Sequence, residues 1–168
     1  MSFRPGPLNL ITDVPGLRVG HATDEACRSG VTTVLVDGFW SAAVDVRGGG
    51  PGSRETEALA LENLIGRVHA IVLAGGSVFG LAAADGVTAA LSASGQGLHL
   101  KPGAPAIPLV PAAVLHDLAN GGNKQWGLQP PYRELGVASV AAATQAFAQG
   151  RVGAGRGAMA GHLPGGIG

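Results

Sequence analysis

Apolar positions along the chain switch between two periods, and each switch predicts an element. Short runs rich in Val and Thr, LRVGH at 17–21, VTTVLV at 31–36 and SAAVDV at 41–46, are separated by Gly or Asp turns and read as three strands. Over 55–65, ETEALALENLI, the spacing becomes helical through Leu61, Leu64 and Ile65, with Glu55 and Glu57 in the first turn and Gly66 as the stop. VHAIVLAGG, 68–76, reads as a buried strand closing on a glycine pair. It feeds SVFGLAAADGVTAALSAS, where Leu81, Ala84, Val87 or Thr88, and Leu91 recur every three or four residues, giving a strand, turn, helix unit.

The second half is more broken. AIPLVPAAVL, 106–115, predicts a strand pair interrupted by proline, HDLANGGNKQWGLQPPY predicts a polar loop, and an alanine-rich helix is expected over 133–148. Glycines at 153, 155 and 157 alternate with other residues, which predicts a strand with one bare face, open to close approach by another backbone or a substrate. That strand is expected in the interior of a sheet. The mixed order of strands and helices implies a layered α/β domain rather than a regular βαβ winding. At 168 residues, 1–168 is expected to be a single domain.

Composition changes the picture in two ways. Charged residues make up 13% of the chain, against roughly a quarter in ordinary soluble proteins, and Lys plus Arg equal Asp plus Glu at 11 each. So sparse a charge implies a surface that needs covering, and the lack of a basic cluster argues against nucleic acid or an anionic membrane as partner. No apolar run approaches a membrane span, and Pro5 and Pro7 interrupt any secretory signal. Cys27 is the lone cysteine, which excludes an internal disulfide. A soluble, cytoplasmic protein is expected, with Cys27 as a spare surface or edge thiol.

The glycine clusters RGGGPGSRET (47–56), LAGGSVFG (73–80) and GAGRG (153–157) match neither the Walker nor the dinucleotide-binding pattern. Weak anion binding at the N–H groups of Gly76, Ser77 and Val78 stays open. The five histidines lack metal-ligand spacing, so no metal or other cofactor is expected. His116 beside Asp117 is either half of a catalytic pair or a hydrogen-bonded loop histidine. Ser77 lacks the G-x-S-x-G context of a nucleophile elbow and reads equally as a helix cap. Asn120 and Asn123, in LANGGNKQWG, carry uncharged donors suited to an oxyanion hole; the alternative is an Asn-Gly turn. The final residues, LPGGIG, are apolar and glycine-rich where chain ends are usually polar.

Six segments in order, NLITDVPGLRVGHAT, AAVDVRGGGPGSRET, VLAGGSVFGLAAADGV, IPLVPAAVLHDLANGGNKQWG, PPYRELG and VGAGRGAMAGHLPGGIG, resemble the DmpA-type self-processing aminopeptidases, which include β-peptidyl aminopeptidases and nylon-oligomer hydrolases. The resemblance implies an αββα sandwich layered like the N-terminal-nucleophile hydrolases but differently connected, completed by a second, β chain cut from the same precursor. It implies that the chain is the α fragment, that Gly168 carries the scissile carbonyl, and that a Ser or Thr nucleophile opens the β chain. Small peptides, amides or esters are the implied substrates, and αβ units are expected to form homo-oligomers. Asn120 is the first choice and Asn123 the second for the oxyanion donor. Phe79 falls where relatives carry a tyrosine hydroxyl, and Arg133 near a lysine of the nylon hydrolases. With Arg47 and Gly48 of the first glycine cluster they form the expected substrate-binding set. The competing readings are a noncatalytic α/β module holding a small anion and an inactive processed paralogue.

Overall fold

The computed structural model of the chain describes residues 4–168. Alternation of Val and Thr builds a hairpin from Leu17–Asp24 (β1) and Ser29–Ser41 (β2), joined by the four-residue turn 25–28. Along β2 the side chains of Val31, Thr33 and Leu35 point to one face, and Thr32 points to the other. Ser53–Arg54 (β3), Arg67–Ala74 (β4) and Ala112–Val114 (β5) complete a five-stranded sheet of order β1-β2-β4-β5-β3. Neighbours are antiparallel except β4 and β5, which run parallel.

Two helices, Ala83–Ala93 (α1) and Tyr132–Ala141 (α2), lie side by side on one face of this sheet. Ala70, Val72 and Ala74 of β4 meet Ala83, Ala84, Val87 and Leu91 of α1 and the ring of Tyr132, all buried. Each Val or Leu in this core contributes about 1.5–3 kcal/mol of burial. The helices approach closely because each offers a glycine at the crossing: a Cβ on Gly86 would overlap the carbonyl oxygen of Arg133, and one on Gly136 that of Ala83. Gly86→Ala is therefore expected to lower the melting temperature by roughly 5 °C despite the better helix propensity of alanine, since overpacking outweighs a gain of about 1 kcal/mol. A raised melting temperature would show that the helices can separate.

The opposite face is only partly covered. A 3-10 turn at Gly153–Gly155 crosses β1 and β2, where Ala154 N donates to Thr32 Oγ1. Beyond it, Ile71 and Leu73 of β4 remain more than a third exposed, and Leu73, Ala113, Leu115 and Ile167 line an apolar hollow of about 180 Å³. The described residues thus form one helical layer and one β layer of the expected sandwich.

Several local expectations are corrected. Residues 41–46 form no separate strand: β2 absorbs Ser41, and 42–52 runs as an irregular loop. The helix over 55–65 is reduced to a 3-10 turn at Thr56–Leu59. Glu55 is left-handed with its carboxylate accepting from Val110 N, and Leu61 and Leu64 stand in solvent, so the segment lacks the packed face that a short helix needs. In 106–115 only β5 forms regular structure, since Pro108 and Pro111 withhold N–H groups. The second helix stops at Ala141 rather than 148, because Thr144 turns to pair with Val19 and caps the exposed edge of β1.

The segment around 153–157 is no interior strand. It is the 3-10 turn followed by an exposed hairpin of Met159–Ala160 (β6) and Leu163–Pro164 (β7). The close approaches expected of its bare glycines nevertheless occur. A Cβ on Gly153 would meet Thr32, one on Gly155 the backbone of Gly166 and Ile167, and one on Gly157 would meet Asp117, Asn120 and the carbonyl of Arg28.

Candidate active site

The loop that follows β5 folds back on the turn between β1 and β2. Three consecutive carbonyls of that turn are each taken by a donor from residues 120–124: Ala26 O by Asn123 N at 2.8 Å, Cys27 O by Lys124 Nζ, and Arg28 O by Asn120 Nδ2 at 2.6 Å. Arg28 adopts a left-handed conformation, φ 50°, and returns a bond from its guanidinium to Asn120 O. Gly122 lies so close to the Cys27 carbonyl that no side chain fits there. Beside this junction opens a cleft of about 580 Å³ lined by Arg28, Asn120, Arg151, Arg156, Gly157 and Met159. Arg156 is held by Glu25 at 2.7 Å, and this bond keeps the Glu25 carboxyl below its ordinary range.

Asp117, three residues before Asn120, is buried and turned inward. Its Oδ2 accepts from Ser29 Oγ at 2.6 Å and its Oδ1 from Gly76 N at 2.7 Å; Ser29 Oγ in turn accepts from the hydroxyl of Tyr132 at 3.0 Å. Burial pushes the Tyr132 phenol well above its usual range and keeps it a donor. One carboxylate therefore ties together the start of β2, the turn after β4, the first residue of α2 and the loop bearing Asn120.

This geometry settles several sequence alternatives. Asp117 points away from His116, which is exposed, so the two are not a catalytic pair. Gly76 N is spent on Asp117 and Ser77 N on Leu115 O, which removes two of the three N–H groups considered for an anion. Ser77 makes no capping bond: Gly76 is the cap, and both residues have positive φ. Cys27 is buried rather than a surface thiol. Burial, reinforced by Asp24, pushes its thiol up to about 11. At pH 8 it is expected to react with a disulfide reagent about a hundredfold more slowly than an exposed cysteine, in proportion to its thiolate fraction, and at the normal rate once unfolded; fast labelling of the native protein would refute this.

The expected site residues are scattered. Asn120 and Asn123 share the loop, but Asn123 Oδ1 accepts from Gln125 N, and its side chain faces a second hollow with Cys27 and Trp126. Phe79, partly exposed, stacks edge-to-face on Trp126 at 5.5 Å, and Trp126 stacks likewise on Tyr132. The Tyr132 hydroxyl, engaged with Ser29, is no substitute for the hydroxyl Phe79 lacks. Arg47 pairs with Asp45 on the exposed 42–52 loop beside Gly48, and Arg133 lies exposed in the first turn of α2; none of the three bonds to Asn120. Gly168 follows Ile167, whose N and O both bond to Gly150. Among the described residues no three His, Cys, Asp or Glu side chains converge, and no helix is long and apolar enough to cross a membrane.

Sequence reading overlooked Asp117 as a hub, Lys124 and the turn carbonyls. The available signal was an acid set among apolar neighbours in VLHDL, and a lysine in a chain with few charges.

A family model described as Peptidase family S58 matches residues 9–168. The chain belongs to this family. Among S58-like relatives it is 44% identical over 171 residues to an uncharacterized aminopeptidase of Mycobacterium tuberculosis, covering 96% of this chain and 47% of the relative. It is 35% identical over 159 residues to a 6-aminohexanoate-oligomer endohydrolase of Kocuria sp., covering 94% of this chain and 41% of that protein. The chain thus spans about half the length of the curated relatives it matches. In fold it is similar to the L-aminopeptidase D-Ala-esterase/amidase of Ochrobactrum anthropi, with a TM-score of 0.62 at 19% identity, covering 95% of this chain and 47% of that one. That protein is described as a prototype for the serine aminopeptidases and a variant of the Ntn hydrolase fold. A second solved structure, the PH0078 protein of Pyrococcus horikoshii, gives a TM-score of 0.68 at 24% identity and covers 98% of this chain and 49% of that one. The S58 chain is therefore a mixed α/β sheet-and-helix structure of the Ntn hydrolase type.

Proposed function

We propose that the chain is the α portion of a self-processing amidohydrolase that removes N-terminal residues from small peptides, amides or esters. The precursor is cut after Gly168, and the Ser or Thr that follows becomes the N-terminal nucleophile of a β chain. The observation that carries this reading is the convergence at 153–157. Gly155 backs the segment leading to Gly168, and Gly157, two residues on, backs Asn120 and its amide. The half-length match to S58 relatives and the uncovered apolar face around Ile71 and Leu73 support a second layer supplied by further chain.

In the proposed cut the hydroxyl of the following residue adds to the Gly168 carbonyl. The C–N bond breaks as the acyl group passes to oxygen, which leaves an ester and frees the α-amine; water then hydrolyses the ester, releasing the Gly168 carboxylate and the hydroxyl, and the amine serves as base for later turnovers. Substrate hydrolysis repeats the same addition at an external carbonyl. In both reactions negative charge develops on the carbonyl oxygen, and Asn120 Nδ2 is the proposed donor to it. Two such αβ units or more assemble into a homo-oligomer, in keeping with the sparse surface charge.

Intact mass spectrometry of the product of the complete reading frame tests the proposal. Two chains are expected, one of 16.6 kDa ending at Gly168 and one beginning with Ser or Thr, and together they hydrolyse aminoacyl p-nitroanilides. A single uncut polypeptide, or a cut pair inert towards every such substrate, would refute it.

A further inference from the structure

We propose that Lys124 is a positioning residue whose ammonium holds the Asn120 side-chain amide in the one orientation that presents an N–H to the cleft. The inference rests on the role proposed above for Asn120 and deepens it.

An asparagine amide has two ends of similar shape, and only its neighbours decide which end faces where. Here the neighbours are unambiguous. Asn120 Oδ1 lies 3.1 Å from Gly122 N and 3.0 Å from Lys124 Nζ, both of which can only donate. Nδ2 lies 2.6 Å from Arg28 O, which can only accept. Turning the amide over would set an NH2 group against an ammonium and an N–H, and a carbonyl oxygen against another carbonyl oxygen. Three favourable contacts would become three repulsive ones.

The orientation leaves one Nδ2 hydrogen with no partner among the described residues, on a side chain that lines the 580 Å³ cleft beside Gly157. Lys124 is fixed in its own right, since Nζ also donates to the Cys27 carbonyl in the turn after β1. A cation on Oδ1 draws electron density from the amide and makes the opposite N–H a stronger donor, as a charge does along any hydrogen-bonded chain. Gly122 N alone would favour the same orientation, but through one neutral bond. Lys124 adds charge and a second anchor.

The alternative is that Lys124 merely staples the loop to the turn, in which case its loss should act independently of the Asn120 side chain. A double-mutant cycle on the protein expressed from its complete reading frame separates the two, with turnover of an aminoacyl p-nitroanilide measured per processed chain. Lys124→Met is expected to lower kcat by about tenfold to a hundredfold with KM changed less than about twofold, because the donor is misplaced rather than the substrate lost. In an Asn120→Ala background the same change is expected to alter kcat by less than about twofold. Lys124→Gln, which keeps an N–H donor without the charge, should fall between wild type and Lys124→Met, and reads the same cycle if the methionine variant does not fold. Equal fold losses in both backgrounds, or no loss in the first, would overturn the proposal. An Asn120→Ala enzyme of near-normal rate would instead sink the oxyanion role on which it rests.

Discussion

Asn120→Ala is expected to lower kcat by about two to three orders of magnitude, the usual consequence of removing one oxyanion donor. The substitution also breaks the bonds to Arg28 O, Gly122 N and Lys124, so a loss of rate alone would not separate chemistry from loop disorder. Asn120→Asp makes the separation. Its carboxylate still accepts from Gly122 N and Lys124, which keeps two of the three loop bonds, yet it has no N–H to offer, and its second oxygen is repelled by Arg28 O and turns towards the cleft. The aspartate variant should therefore melt closer to wild type than the alanine variant while turning over no faster. If both variants keep a rate within about tenfold of wild type, well short of the loss expected for an oxyanion donor, Asn120 serves only the Asn-Gly turn.

Asp117→Ala should give the largest loss of stability. Removing the carboxylate strands the hydroxyl of Ser29 and the N–H of Gly76, both buried, and each unsatisfied donor costs about 1–3 kcal/mol, more where the lost acceptor was charged. A fall in melting temperature of roughly 10 °C follows for a chain of this size. Asp117→Asn should cost about half as much, because Ser29 can rotate its hydroxyl and accept from the new amide while Gly76 N keeps its oxygen. Differential scanning calorimetry of the two variants checks both figures, and an alanine variant as stable as wild type would mean that water replaces the carboxylate.

The strands at 17–21, 31–36 and 68–74 and the helix α1 were legible because their signal is local. Val72, in the strand expected to be buried, and Val87 and Leu91, at helical spacing, are all buried. The helix expected over 55–65 has the same local signature and failed because Leu61 and Leu64 find nothing to pack against among the described residues. Periodicity reports what a segment could bury, never whether a surface is there to receive it. The glycines at 153, 155 and 157 gave the right close approaches on the wrong element, since the missing Cβ is a fact of sequence and the backbone path is set by distant partners.

Of the candidate site, Asn120 was visible as an amide in a turn-forming loop, but its partners were not. Asp117 reaches Ser29 across 88 positions and Gly76 across 41, and the three carbonyls of residues 26–28 have no side-chain signature at all. His116 drew attention by adjacency in sequence, although neighbouring residues rarely share a direction. Phe79 and Arg133 came from resemblance, and neither they nor Arg47 and Gly48 of the 42–52 loop bond to Asn120.

The uncovered side of the sheet bears on the order of events in the proposed precursor. Ile71 and Leu73, with the hollow between Ala113 and Ile167, would be sticky if presented alone to other proteins. Carried on one polypeptide, a covering layer meets that side at an effective concentration on the order of millimolar, so docking does not depend on how dilute the protein is. Severing the tether before docking would forfeit that advantage, whereas severing it afterwards costs nothing. For the proposed precursor, surface chemistry thus favours one timing: the layers would close first, and the peptide bond would be cut inside a finished sandwich.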